Sequence, residues 1–106
     1  MELKLHRTLI HRDTTDGYIT IGGRRICDTA EHTPIMLHPG SYTLTRKQMY
    51  LMAGNGVYTL QTPNIIVGKH RCRGLIINSR TTYLRIYERL KKALVRKEKV
   101  VLVVEA

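Results

Sequence analysis

Polar and apolar residues alternate along much of this chain, and a period of two is typical of β-strands with one buried face. The clearest case is ELKLHRTLI at 2–10, which is expected to place Leu3, Leu5 and Leu9 on one face. The predicted strands are 2–10, 18–21, 24–27, 41–46, 57–61, 64–68 and 100–104, with 75–78 as a further strand or the lead-in to a helix. The predicted turns and loops are 12–17, 22–23, 28–34, 39–40 and 53–56. Because Gly22-Gly23 links two strand-like segments directly, it is a strong hairpin signal.

The pattern changes towards the C-terminus, where it predicts one helix over residues 80–97 with Ser79 as its N-cap. Neither glycine nor proline interrupts this stretch, and apolar residues recur at three- and four-residue spacing. The expected buried stripe is Tyr83, Leu84, Tyr87, Leu90 and Leu94. The apolar run VVLVV at 100–104 follows, and its continuity predicts a central strand covered on both faces, with the helix packed over it.

These elements together predict a single α+β domain spanning residues 1–106. It should be small and β-rich, with mostly antiparallel strands in a partly closed sheet, one C-terminal helix and a closing strand. The 106 residues suit one compact domain, and with neither Trp nor Phe its core must be mainly aliphatic. No apolar run approaches the roughly 18 residues that a membrane span needs. The alternating N-terminus does not resemble a signal peptide, so we expect a protein kept inside the cell, with reduced thiols at Cys27 and Cys72.

The charge of the chain indicates the class of partner. Eighteen Lys and Arg residues face eight Asp and Glu residues, which gives a formal charge of +10. A positive field of this kind attracts polyanions such as nucleic acid, anionic lipid or acidic cell-wall polymer. The candidate anion-binding residues lie in the segment GKHRCRG at 68–74 and on the predicted helix: Lys69, Arg71, Arg73, Arg85, Arg89 and Lys92.

The segment GKHRCRG at 68–74 has four possible interpretations. Cys72 lies between two arginines, which favour a thiolate nucleophile. His70 and Cys72 supply at most two metal ligands, whereas a structural zinc site needs four. The segment also lacks the Gly-Lys-Ser/Thr ending of a phosphate-binding loop. We therefore favour a basic surface turn and expect no metal.

Several segments resemble, in order, a family of small domains encoded by bacteria and their phages, which are similar to distant relatives of the cell-wall L,D-transpeptidases. The matching segments are GYITIGGRRICDTAE at 17–31, LHPGSYTL at 37–44, Gly54-Asn55, NIIVGK at 64–69 and LIINSRTTYLRIYERL at 75–90. The first contains Cys27-Asp28-Thr29 with Glu31, a possible carboxylate pair. We favour a structural role for this pair at a strand end and turn, where such side chains cap local backbone N–H groups.

The chain departs from that family where the catalytic pair would lie. The resemblance implies a His shortly before Gly54-Asn55, but Met52-Ala53 stands there. It implies a cysteine where Asn64 stands, and an amide cannot supply a thiolate. The resemblance therefore implies a transpeptidase-like scaffold that has lost its chemistry.

We predict a non-catalytic basic interaction module of phage, prophage or bacterial origin, resembling a degenerate L,D-transpeptidase relative. It would bind an anionic polymer, of cell-wall or nucleic-acid type, or a protein partner in an assembly. One alternative is a nucleic-acid-binding protein in which Tyr50 and Tyr58 stack on bases. Another is an enzyme with Cys72 as its nucleophile. No cofactor is expected, and the expected location is the cytoplasm or the phage particle.

Overall fold

A computed structural model describes residues 1–58, 60–72 and 75–106. The described strands are β1 Glu2–Ile10, β2 Thr14–Ile21, β3 Arg24–His32, β4 Gly40–Thr43, β5 Leu51–Met52, β6 Ile65–Cys72, β7 Leu75–Ile77 and β8 Val101–Val104. A short 3₁₀-helix covers Thr33–Ile35, and an α-helix, α1, covers Ser79–Val95. The strands form a curled, half-barrel sheet in the order β4-β8-β1-β2-β3-β6-β5, with β7 paired to β6. The predicted β-rich α+β domain with a C-terminal helix and a closing strand is confirmed.

Antiparallel pairing dominates the sheet, as the pattern predicted. The β2–β3 hairpin turns at Gly22 and Gly23, whose φ angles of 58° and 79° favour glycine because a side chain there would be strained. Parallel pairing joins β1 to β8 and β5 to β6. Strand β8 lies between β4 and β1, so the predicted central position of the closing strand is confirmed. One of its faces is buried and the other is half-buried.

The main core lies between one face of the sheet and α1. Sheet residues in this core include Leu3, Leu5, Ile19, Ile65, Val67, Leu102 and Val104. The helix contributes Ile86, Leu90 and Ala93. A smaller apolar cluster of Ala30, Val57, Leu60, Ile66 and Ile76 joins β3, β6 and β7 to residues 57 and 60. No helix in the described part of the chain has the length and apolar character needed to cross a membrane.

Two predicted loops are largely strand. Strand β2 begins at Thr14, and β3 continues to His32, so most of 12–17 and 28–34 is paired. Turn-forming residue types predicted loops there, but Thr15 pairs with Glu31 across the hairpin and both are buried. Tertiary burial therefore overrides the local preference.

The predicted apolar face of β1 is correct only at its beginning. Leu3 and Leu5 are fully buried, whereas Leu9 is 55% exposed. The pairing with β2 shifts register between Arg7 and Leu9. Such a bulge reverses the alternation of faces, and a pattern with a period of two does not reveal it.

The segment at 68–74 is not a surface turn over its described part. Residues 68–72 belong to β6, which pairs with β3 on one side and β7 on the other. Gly68 permits this close packing, because an added Cβ would lie 2.7 Å from the carbonyl oxygen of Ile77.

The predicted strand at 57–61 was wrong for residues 57, 58, 60 and 61, which lie outside any strand.

The helix is confirmed, but its cap and its buried stripe differ from the prediction. The N-cap position is Asn78, in the left-handed conformation, and Ser79 is instead the first helical residue. The Ser79 hydroxyl donates to the carbonyl of Val67 and accepts the N–H of Gly54. The stripe is rotated from the predicted one: Ile86 and Ala93 are buried, whereas Leu84 is 48% exposed.

Candidate functional site

A pocket of about 540 Å³ lies where β3, β6 and the first turns of α1 meet. It adjoins a smaller pocket of about 240 Å³ that extends along the helix. The two share Arg25, Ile26, Thr82 and Arg85 among their lining residues. We call the combined feature the cationic groove and define it by four basic residues: Arg25, Lys69, Arg85 and Arg89.

Secondary structure explains why these residues converge. Arg85 and Arg89 are one helical turn apart and therefore lie on the same side of α1. Lys69 follows Val67 by two residues on β6, so both point to the face of the sheet that α1 covers. Arg25 lies just after the Gly-Gly turn, at a register shift between β2 and β3.

The charges of the groove are poorly compensated. Within the described residues, Lys69, Arg85 and Arg89 form no ion pair with a carboxylate. All three are exposed. Arg25 differs, because its Nη2 donates to Oδ1 of Asp28 at 2.5 Å. The groove therefore presents an excess of positive charge to solvent.

Asp28 ties the floor of the groove to the adjoining strand. Its Oδ2 accepts the backbone N–H of His70 at 2.9 Å, and its Oδ1 accepts from Arg25. Burial alone would raise the pKa of Asp28, but these hydrogen bonds and the nearby charges of His70 and Arg25 together hold it below the ordinary value. Asp28 therefore has a structural role, but the predicted setting was wrong: it lies within β3 and not at a strand end or turn, and the N–H group that it binds is on β6.

Cys27 also lines the groove, but its thiol is not activated. Burial raises the pKa of Cys27 to about 12, and the negative charge of Asp28 acts in the same direction. The positive charges of Arg25 and Arg85 lower the pKa by less. The thiol therefore stays protonated near neutral pH and is a poor nucleophile.

Cys72, the candidate nucleophile, and the nearby His70 are held in separate surroundings. His70 donates from Nε2 to the carbonyl oxygen of Thr29 at 2.7 Å, and its Nδ1 lies 3.9 Å from Asp28. Cys72 is exposed beyond a register shift in β6. Among the described contacts, none joins the imidazole to the thiol.

The structure brings together three of the six predicted anion-binding residues: Lys69, Arg85 and Arg89. Arg71 is exposed on β6, at the register shift. Lys92 is exposed on α1, one turn beyond Arg89. Arg73 lies outside the described residues.

Arg25 lines both parts of the groove and was not among the residues predicted from the sequence. The available signal was the pair Arg24-Arg25 directly after Gly22-Gly23. A hairpin turn there holds a basic side chain in a fixed position, but its neighbours across the fold are set by β6 and α1.

Comparison with known protein families, curated proteins and solved structures finds no match to this chain. The resemblance to transpeptidase relatives therefore stays a prediction. Asn64, at the implied cysteine position, donates from its amide to the hydroxyl of Thr62 at 2.6 Å. Among the described residues, no group of three or more His, Cys, Asp or Glu side chains could hold a metal ion.

Proposed function

We propose that this protein is a non-catalytic interaction module that binds an anionic polymer in the cationic groove. The observation that carries the proposal is the convergence of Arg25, Lys69, Arg85 and Arg89 from two strands and a helix, of which only Arg25 has a carboxylate partner among the described residues. A repeating polyanion can contact several such cations at once, and each contact releases condensed counterions. The formal charge of +10 extends the attraction beyond the groove.

The surroundings of the groove support binding without catalysis. The Cys27 thiol is held in its protonated form, and His70 is engaged by Thr29 and Asp28 rather than by Cys72. Hydroxyl and amide groups of Thr81, Thr82 and Asn78 also line the larger pocket and can donate hydrogen bonds to an anion. The proposal agrees with the phage or bacterial module, degenerate in its chemistry, that the sequence resemblance implies.

The test is titration with inorganic polyphosphate and elution from immobilised heparin as salt is raised. Lys69→Gln, Arg85→Gln and Arg89→Gln together remove three charges from the groove. We expect binding to polyphosphate to weaken roughly tenfold or more at low salt, and the dependence of affinity on salt to become shallower. The melting temperature should change little, because these side chains are exposed.

A matched control removes the same charge elsewhere. Arg12, Arg46 and Lys47 are exposed, lie in loops and do not line the groove. Changing all three to Gln should weaken binding much less than the groove variant does. Equal losses in both variants would show that binding follows net charge alone, and no retention on heparin at low salt would remove the proposed function altogether.

A further inference from the structure

A second surface, on the opposite face of the sheet from α1, carries stacked planar side chains. His6 on β1 and Tyr18 on β2 are direct partners in the sheet, with ring centroids 4.8 Å apart and planes 17° from parallel. The guanidinium carbon of Arg25 on β3 lies 4.3 Å from the centroid of the Tyr18 ring. Because β1 and β3 flank β2, His6 and Arg25 approach Tyr18 from opposite sides. We call these three residues the planar stack.

The planar stack is held in place by hydrogen bonds and open to solvent. His6 Nε2 is 2.9 Å from the hydroxyl of Thr20, and its Nδ1 is 3.5 Å from a carboxylate oxygen of Glu105. The stack lines a pocket of about 830 Å³ together with the exposed Lys4. Fixed planar groups beside an open pocket provide surfaces on which a flat ligand group can stack.

Arg25 joins the planar stack to the cationic groove, since it lines the pocket of the stack and both pockets of the groove. A ligand that reaches around Arg25 can therefore contact the cations of the groove with one part and the stack with another. Such a ligand needs two chemical features, a chain of negative charges and flat groups attached to it.

We propose that the polyanion is a single-stranded nucleic acid, whose phosphates lie in the cationic groove and whose bases extend the planar stack. This inference rests on the proposed function and names its ligand class. His rings and Arg guanidinium planes both stack on unpaired bases. Polyphosphate and the phosphate polymers of cell walls carry charge without flat groups, so they can use the groove but not the stack.

The first test exploits the lack of tryptophan in this chain. Tyr18→Trp places a single fluorescent indole in the planar stack. Addition of oligo-dT should change its fluorescence, because bases that extend the stack pack against His6 or Arg25, which flank residue 18, whereas polyphosphate at saturation should leave it nearly unchanged. The control is Tyr58→Trp, at a side chain that is 70% exposed and packs against His32 at the far end of β3 from Arg25. Its fluorescence should respond to neither ligand. Because Tyr58 is also the base-stacking residue of the alternative predicted from the sequence, a response to oligo-dT at residue 58 and not at residue 18 would overturn the inference.

The second test does not depend on the tryptophan variants. Tyr18→Leu keeps an apolar side chain but removes the flat ring, and Arg25→Lys keeps the charge but removes the guanidinium plane. Each should weaken binding to oligo-dT by about fivefold or more, and change binding to polyphosphate by much less. Circular dichroism and melting curves establish that each variant is folded before its affinity is compared.

The outcomes separate this inference from the proposed function. Loss of oligo-dT binding with retained polyphosphate binding supports the single-stranded ligand. Equal effects of Tyr18→Leu on both ligands, or binding to a DNA duplex as tight as binding to oligo-dT, would overturn it. If polyphosphate binds in the groove and oligo-dT binds no tighter, an anionic polymer without bases is the ligand and the proposed function still stands.

Discussion

Arginine side chains at the two ends of β3 differ in their burial. Near its last residue, Glu31 binds Arg7 through two hydrogen bonds of 2.8 Å, and Arg7 also donates to the carbonyl of Leu37 at 2.7 Å. The Arg7 side chain is only 6% exposed and the Glu31 side chain only 1%. At the beginning of β3, Arg25 is 56% exposed and binds the partly buried Asp28, and Arg85 lines the same exposed groove. Only the first end matches a buried guanidinium group with a buried carboxylate.

This difference distinguishes a structural charge from a charge available to a ligand. A buried guanidinium must be compensated, because desolvation of an unpaired charge costs several kcal/mol. An exposed cluster carries no such requirement, and mutual repulsion makes it mildly unfavourable unless an anion binds. We therefore expect substitutions at the Arg7 end to affect stability, and substitutions in the cationic groove to affect binding.

The largest effect on stability should come from Glu31→Gln, which leaves Arg7 buried without its counter-charge. We expect a loss of about 3–5 kcal/mol in the free energy of unfolding, measured by urea denaturation. Arg7→Met combined with Glu31→Leu should cost less than Glu31→Gln alone, because no charge remains buried. If Glu31→Gln left the free energy of unfolding almost unchanged, the Arg7–Glu31 pair would not be desolvated in solution. The two ends of β3 would then not differ in the way described.

The helix that carries Arg85 and Arg89 should depend on the core for its position. Leu90 is 1% exposed, and Leu90→Ala should lower stability by about 2–5 kcal/mol through lost burial and the resulting cavity. The matched control is Leu84→Ala on the same helix, which should change stability by less than about 0.5 kcal/mol, because that leucine is half exposed. Thermal melting of both variants measures the difference. A loss for Leu84→Ala as large as that for Leu90→Ala would restore the stripe that the sequence pattern predicted, because that stripe contains both leucines.

Asp28 provides a test that depends on pH. Its pKa is held below the ordinary value of 3.8, so the ionised form stabilises the fold. That contribution is complete well above the unfolded pKa and is lost as pH falls through the folded pKa. The melting temperature of wild type should therefore exceed that of Asp28→Asn near neutral pH. The gap should close as pH falls below about 4. If the difference in melting temperature did not change with pH, the effect of Asp28→Asn would come from the shape of the side chain and not from its charge.

The smallest effect should come from the thiols. Near pH 7.5 a maleimide should modify the exposed Cys72 quickly and the buried Cys27 slowly, since burial keeps the second thiol protonated. Cys72→Ser should leave stability and polyanion binding unchanged within error. Mass spectrometry after timed labelling measures the two rates. Loss of polyanion binding in Cys72→Ser would give Cys72 a functional role that its described contacts do not support.

Elements that depend on the local pattern of residue types were predicted well from the sequence. The Gly22-Gly23 turn, the helix near residues 80–97 and the apolar strand at 100–104 each depend on neighbours in sequence. The errors in β1 and at 68–72 share one cause, which is pairing between distant segments. The bulge after Arg7 depends on β2, and the strand at 68–72 depends on β3 and β7.

The features of the candidate site also fall into those that the sequence predicts and those that depend on tertiary structure. The sequence by itself determined the excess of positive charge and the spacing that puts Arg85 and Arg89 on one side of a helix. Tertiary structure alone decided that Lys69 and Arg25 join them, and that Tyr18 lies between His6 and Arg25. Charge and helical periodicity are properties of composition and short-range geometry, which a chain carries before it folds. The convergence of strands β1, β2, β3 and β6 depends on long-range burial and register, which no local stretch of sequence specifies.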